Sequence, residues 1–344
     1  MSRFLETLAL NSKNNLRGRR AAVFALAAIL LTALLLVIFC FDSFCAAVAE
    51  AMQYLQYKFI QRALIVGVLV ALCAALLGVT LVLKRYSMIG DGLSHVGFGA
   101  LSIAASLGFV TTEALPAFLP EGMKTGIVRL CTSISESPLP FTLVVVIVLA
   151  FFILRLSENS GLRGDAAIAL LSTSALAIGV LVTSATRGMN VDVMNYMFGS
   201  ILAMSSVDVA ISITLSVLVL ILFILFCNRI FTVTFDEPFA RATGTHASLY
   251  NMLIAILTAV TIVIGMRMMG TMLISSLIIF PALTSMRAFS NFRFVLISSA
   301  VISIVCFVIG ILLSCLYSLP AGAGIVLVNL AAFLLFSLVG KIRA

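Results

Sequence analysis

Ten apolar runs, each close to the roughly 20 residues that a helix needs to cross a bilayer, dominate this sequence and leave it few ways to fold. They occupy residues 21–41, 59–83, 87–109, 139–156, 166–185, 207–226, 249–265, 269–286, 294–316 and 322–339. In hydrocarbon every backbone N–H and C=O must find a partner within the protein, so only helices and closed barrels span a membrane. Barrel strands alternate in polarity over about ten residues, whereas these runs are apolar throughout. Composition agrees: 62% of the 344 residues are hydrophobic and 10% are charged, against roughly 25% charged in a soluble domain. The sequence therefore predicts an all-α, polytopic transmembrane bundle of about ten spans.

Charge orients the bundle. Lys and Arg number 21 against 13 Asp and Glu, but they stand singly or in pairs between the runs, not in a stripe with aromatics, so no nucleic-acid partner is implied. Placing Lys84 and Arg85, Arg155 and Arg163, Arg229, Arg287 and Arg293, and Lys341 and Arg343 on the cytoplasmic side satisfies the positive-inside rule, with Arg187 and Arg267 as exceptions. Both termini then lie inside. Residues 1–20 form a basic cytoplasmic tail, and residues 21–49 are an extra span with an outer linker, read either as an anchor or as a cleaved signal. Residues 50–344 form the main domain, with an external loop at 111–138 and a cytoplasmic segment at 231–246. Seven cysteines without a C-x-x-C pair suggest neither a disulfide framework nor a zinc-thiolate site.

Few ionisable groups fall within the runs, and each costs roughly 2.5–3.5 kcal/mol at a helix centre, so each needs a reason. Asp91 and His95 stand one helical turn apart and face the same way. A carboxylate and an imidazole so placed can share one divalent cation of the zinc, manganese or iron(II) kind. They can equally bond each other, cap the helix through Asp91, or relay protons in a secondary carrier. Gly90, Gly92, Gly97 and Gly99 on the same run permit close helix approach. Asp192, Asn195 and Met197 fall near the outer face as further path residues. Met266, Met268, Met269 and Met272 could line a copper path or simply fill gaps in the bundle. Pro281 should kink or interrupt its span.

The segment Phe235, Asp236, Glu237, Pro238, Phe239, Ala240, Arg241, Ala242, Thr243, Gly244 reads as a short helix beginning at Asp236 or Glu237 and ending at Gly244. Its two Phe residues, lying outside the membrane, point to docking in a cleft of a partner protein. The alternative is a helix lying on the protein's own inner surface.

Taken together these pieces resemble the permease subunits of the metal-cation ABC transporters, the ABC-3 family. The similarity spans Glu50 to about Gly340. It is carried by Gly90-Asp91-Gly92-Leu93-Ser94-His95, by Asp192 through Tyr196 with Phe198 and Gly199, and by Phe235-Asp236 with Ala240 and Gly244. Gly270 with Pro281-Ala282, and Pro320 with Gly322 and Ile325, continue the pattern. The resemblance implies that Asp91 and His95 are cation ligands in the path and that Phe235 to Gly244 is the coupling helix on the ATPase. It implies a divalent metal as transported substrate, with no permanently bound cofactor, in a multi-pass protein of a bacterial plasma membrane. The implied partners are a cytoplasmic ATPase dimer, a second permease, an extracytoplasmic metal-binding protein and membrane lipid. No G-x-x-x-x-G-K-[ST] is present, so the chain is no ATPase by that motif. Import of a metal chelate or cofactor is the alternative within the same class. Ser200 stands where many members carry an acid, and the first span and the long outer loop are additions to the family's pattern.

Overall fold

The computed structural model describes residues 56–109, 120–159, 164–185, 206–317 and 319–343. The expected basic tail, the extra span, and Asp192, Asn195 and Met197 lie outside these residues. The described chain forms eleven α-helices: α1 (Lys58–Leu83), α2 (Ile89–Ser106), α3 (Glu121–Glu136), α4 (Pro138–Asn159), α5 (Gly164–Ala185), α6 (Ser206–Phe235), α7 (Glu237–Ala242), α8 (Ala247–Met269), α9 (Thr271–Ala288), α10 (Phe292–Tyr317) and α11 (Ala321–Arg343). Eight are long and apolar enough to cross a membrane, and the bent pair α3 and α4 brings the number to nine. Nine of the ten expected spans fall among the described residues, and each has its helix.

The helices divide by burial. In the most apolar stretch of α1 and of α8, 72% of residues are buried, against 17% in α11. Helices α1, α2, α8 and α9 form the interior, while α5, α6, α10 and α11 present Leu181, Leu225, Ile297 and Leu327 outward, as a helix apolar all round does in lipid. Hydrophobicity alone gives no reason for one such helix to prefer another over lipid tails, so small residues and hydroxyls hold the interior. Ser303 on α10 donates to the Ala71 carbonyl of α1 at 3.0 Å, and Gly78 lets α1 close onto the Ile278 carbonyl of α9. Gly270, at φ +89°, is the single residue between α8 and α9, a conformation that a Cβ would strain.

Two expectations are corrected. The 111–138 loop contains the 16-residue helix α3, whose Met123, Ile127, Leu130 and Ile134 recur at helical spacing without making a continuous apolar run. The segment 231–246 does not leave the span at Phe231, because α6 runs on to Phe235; Phe231, Val233 and Phe235 continue its apolar character past Arg229. Of the two outcomes expected at Pro281, a kink or an interruption, the interruption does not occur, since α9 continues through it. The methionines favour gap filling: Met266, Met268 and Met269 are buried in the core of α8, and Met272 is exposed.

Gly78→Val should force α1 from α9 and lower stability by about 3 kcal/mol or more, as overpacking does when backbone must move. Gly126→Ala, on the exposed face of α3 with open space around it, should raise stability by up to about 1 kcal/mol. Thermal midpoints of the detergent-solubilised protein distinguish the two.

Candidate functional site

Helix α2 positions the first group of residues. It is an interior span packed chiefly on α5, and also on α4, α8 and α9. Gly92 and Gly99 make that contact possible: a Cβ on Gly99 would come within 2.6 Å of the Ala175 carbonyl oxygen, and one on Gly92 would meet Ile168. With Gly92 and Gly99 turned to α5, Asp91 and His95, one turn apart, share the face beside them at about 100° per residue. His95 Nε2 lies 3.4 Å from Asp91 Oδ2, with side-chain exposures of 23% and 50%. Two ligands at roughly 2.1 Å from one ion stand roughly 3.4 Å apart at a tetrahedral angle, so the spacing suits a shared cation. Asp91 lies in the first turn, but Met88 is the residue before the helix, so the N-cap reading fails. Among the described residues no group of three or more His, Cys, Asp and Glu gathers to hold a metal. Remaining coordination positions would have to come from water or from elsewhere.

The second group is the short α7. Asp236 is its N-cap, accepting from the Phe239 N–H at 2.9 Å, and Gly244 follows it at φ +79°. One face is seated: Ala240 is completely buried and packs with Val233, Ala247 and Tyr250. The other is open, with Phe239 exposed by 57%, and Phe235 at the end of α6 beside it is exposed by 56%. Phe235 meets Phe231 and Phe292 at centroid distances of 4.7 and 5.8 Å. The two readings of this segment are thus faces of one helix, and Phe239 is its protruding aromatic.

Glu237 carries the electrostatics of α7. Its Oε1 accepts from Arg241 Nη2 at 2.6 Å, and its Oε2 accepts from Asn251 Nδ2 at 3.3 Å. Burial alone would raise its pKa; the hydrogen bonds from Arg241 and Asn251 and the charges of Lys84 and Arg241 more than offset that and hold it below the ordinary value. Asn251, on α8, also accepts from Lys84 Nζ. A lone amide near the start of an apolar run gave no sequence signal for this role.

An apolar bundle, a carboxylate–imidazole pair on an inner span and a helix presenting aromatics outside the spans define the membrane subunit of a transporter. The model of the ABC 3 transport family matches residues 56–340, and the chain belongs to that family. It is a multi-pass permease, and ATP hydrolysis resides in a separate subunit. The chain is similar to the manganese transport system membrane protein MntC of Halalkalibacterium halodurans, with 27% identity over 82% of this chain and 88% of that protein. It is similar also to the high-affinity zinc uptake system membrane protein ZnuB of Haemophilus influenzae, with 28% identity over 81% of this chain and 97% of the other. The solved structure of PsaBC from Streptococcus pneumoniae in complex with Fab matches with a TM-score of 0.68 and 25% identity, over 86% of this chain and 100% of that one. Family membership replaces the proton-coupled carrier with ATP-driven transport.

The lowered Glu237 pKa sets a pH dependence for the seating of α7. A carboxylate with a depressed folded pKa stabilises fully above its unfolded value, ordinarily 4.5, and loses that contribution as pH falls through the folded value. The sequence has no Trp, so Phe239→Trp supplies one fluorescent reporter on α7. Its emission should be steady near neutrality and shift toward that of a mobile indole as the solution is acidified below 4.5; adding Glu237→Gln should abolish the shift.

Proposed function

We propose that this permease carries a divalent transition-metal cation, manganese or zinc with iron as a further candidate, into the cytoplasm of a bacterium. Asp91 and His95 are its transient binding station. The observation that carries the reading is their spacing of 3.4 Å on the open face of an interior span. Manganese and zinc, the metals named for the relatives MntC and ZnuB, both accept this ligand pair, because oxygen and imidazole donors suit either. A chelate would arrive with its coordination sphere filled and would need no such pair. Two protein ligands hold an ion loosely, as a conduit requires, since binding must be weak enough to permit release. The cation also neutralises the carboxylate, lowering the penalty for keeping it among apolar helices.

The exposed aromatics at α7 support a docking role. We assign Phe239, with Phe235 at the end of α6 and Asp236, Glu237, Ala240, Arg241 and Gly244 as their frame, to a cleft on a cytoplasmic ATPase dimer. A second permease and an extracytoplasmic metal-binding protein complete the assembly.

Asp91→Asn and His95→Ala should each abolish metal uptake while leaving insertion and ATPase binding intact; either variant transporting at the wild-type rate would refute the station. Phe239→Ala should weaken ATPase recovery in pull-downs by about 2 kcal/mol or more, the loss typical of a buried aromatic anchor at an interface. Unchanged recovery would remove α7 from the interface.

A further inference from the structure

The spans and α7 are joined by more than chain connectivity. Helix α1 ends at Leu83, and residues 84–88 turn the chain into α2. Arg85 N–H bonds to the Val82 carbonyl at 3.1 Å and Tyr86 N–H to the Leu81 carbonyl at 2.9 Å, around Arg85 at φ +62°. A non-glycine residue in this left-handed region persists where its surroundings hold it. The residue beside it, Lys84, reaches across to α8 and donates to Asn251 Oδ1. The same amide donates through Nδ2 to Glu237 on α7. A continuous polar chain therefore runs from the coupling segment through α8 to the corner before α2.

These groups line a cavity of about 350 Å³ together with Tyr86, Ile89 and Thr234. Ile89 is the first residue of α2 and Asp91 lies in its first turn. The polar chain thus ends at Lys84, at the corner that leads into the turn carrying Asp91. Asn251 is 9% exposed, and an amide so buried must keep both its donor and its acceptor satisfied. Movement of α7 that carries Glu237 away breaks one of its bonds unless Asn251 and Lys84 follow. The cavity gives them space to do so.

We infer that Lys84, Asn251 and Glu237 are positioning residues that form a polar strut, coupling displacement of α7 by the ATPase to the α1–α2 corner and hence to Asp91 and His95. This inference rests on the proposed transport function and names the link within the permease. The amide is the discriminating element because it can turn over: Oδ1 faces Lys84 and Nδ2 faces Glu237, and the opposite orientation would serve a strut of reversed charge.

The test uses the permease reconstituted with its ATPase in proteoliposomes, with manganese(II) or zinc(II) supplied through the binding protein, and reads metal transported per ATP hydrolysed. Asn251→Leu, close in shape but unable to bond, should assemble and hydrolyse ATP at the basal rate, with metal per ATP reduced about tenfold, an effect of the size seen for residues sharing one network. Lys84→Glu and Glu237→Lys should each lower the ratio, and the double exchange should recover most of it with Asn251 retained. A wild-type ratio in Asn251→Leu, or no recovery in the double exchange, overturns the strut. Should Asn251→Leu fail to assemble, the double exchange decides alone. His95→Ala separates the two ideas: wild-type uptake in that variant removes the binding station on which the strut would act, whereas lost uptake there with an unaffected Asn251→Leu removes only the strut.

Discussion

The obligation of every backbone polar group to find a partner inside the protein governs this molecule, and it explains why chemistry collects at helix ends. Within the spans the backbone is committed to its own helices. Hydroxyls such as those of Thr258 and Ser275 are likewise turned back to the carbonyls of Ile254 and Thr271. Irregular backbone survives at the α1–α2 corner, at Gly270 and around α7. Two of these three places adjoin the residues of the proposed mechanism, where freed backbone and charged side chains can bond to another element; within the spans such bonds are made by small hydroxyls, as from Ser303 to the Ala71 carbonyl.

The same constraint shapes the interior. Close packing is obtained by removing side chains rather than adding them: Gly78 meets a carbonyl of α9 and Gly99 one of α5. A helix held by its small-residue face has its rotation fixed, and this rotation sets where the neighbouring face with Asp91 and His95 points. In an apolar helix without such a face, two ionisable residues could turn toward each other and be hidden. On α2 the two meet at 3.4 Å with Asp91 half exposed, so the proposed station is a partly open pair and not a buried one.

The features legible in the sequence were those written in continuous runs or local spacing. Every described span was visible as an apolar run, and the four-residue interval from Asp91 to His95 set their common face. Asp236 and Gly244 marked the limits of α7. Helix α3 escaped because Met123, Ile127, Leu130 and Ile134 are dispersed among Glu121, Lys124 and Arg129, so a criterion based on unbroken hydrophobicity passes over it. The Lys84, Asn251 and Glu237 contacts escaped for a different reason. Lys84 and Asn251 are 167 positions apart, and a bond of that kind depends on how α1 and α8 pack, which no local pattern encodes. The split role of α7 was half visible: two Phe residues announced an open face, but the burial of Ala240 follows from where α6 ends, and Arg229 made that end look earlier than it is.

The position of the ligand pair along α2 bears on how transport would be driven. An 18-residue helix is roughly 27 Å long at 1.5 Å per residue, and Asp91 and His95 occupy its first two turns, the end nearest the corner that Lys84 holds. A lever acting at that end moves the ligands with little loss to bending, whereas ligands at the far end would depend on the whole length of α2 staying rigid. Tilting the first turn alters how the two donors face an ion, and two donors without a closed cage are the arrangement most sensitive to such a tilt. Loose coordination and the short mechanical path are therefore complementary. In the proposed station the ion would be held only while both side chains point to it, and the corner leading into their turn is the one joined through Lys84 and Asn251 to the helix proposed to dock on the ATPase.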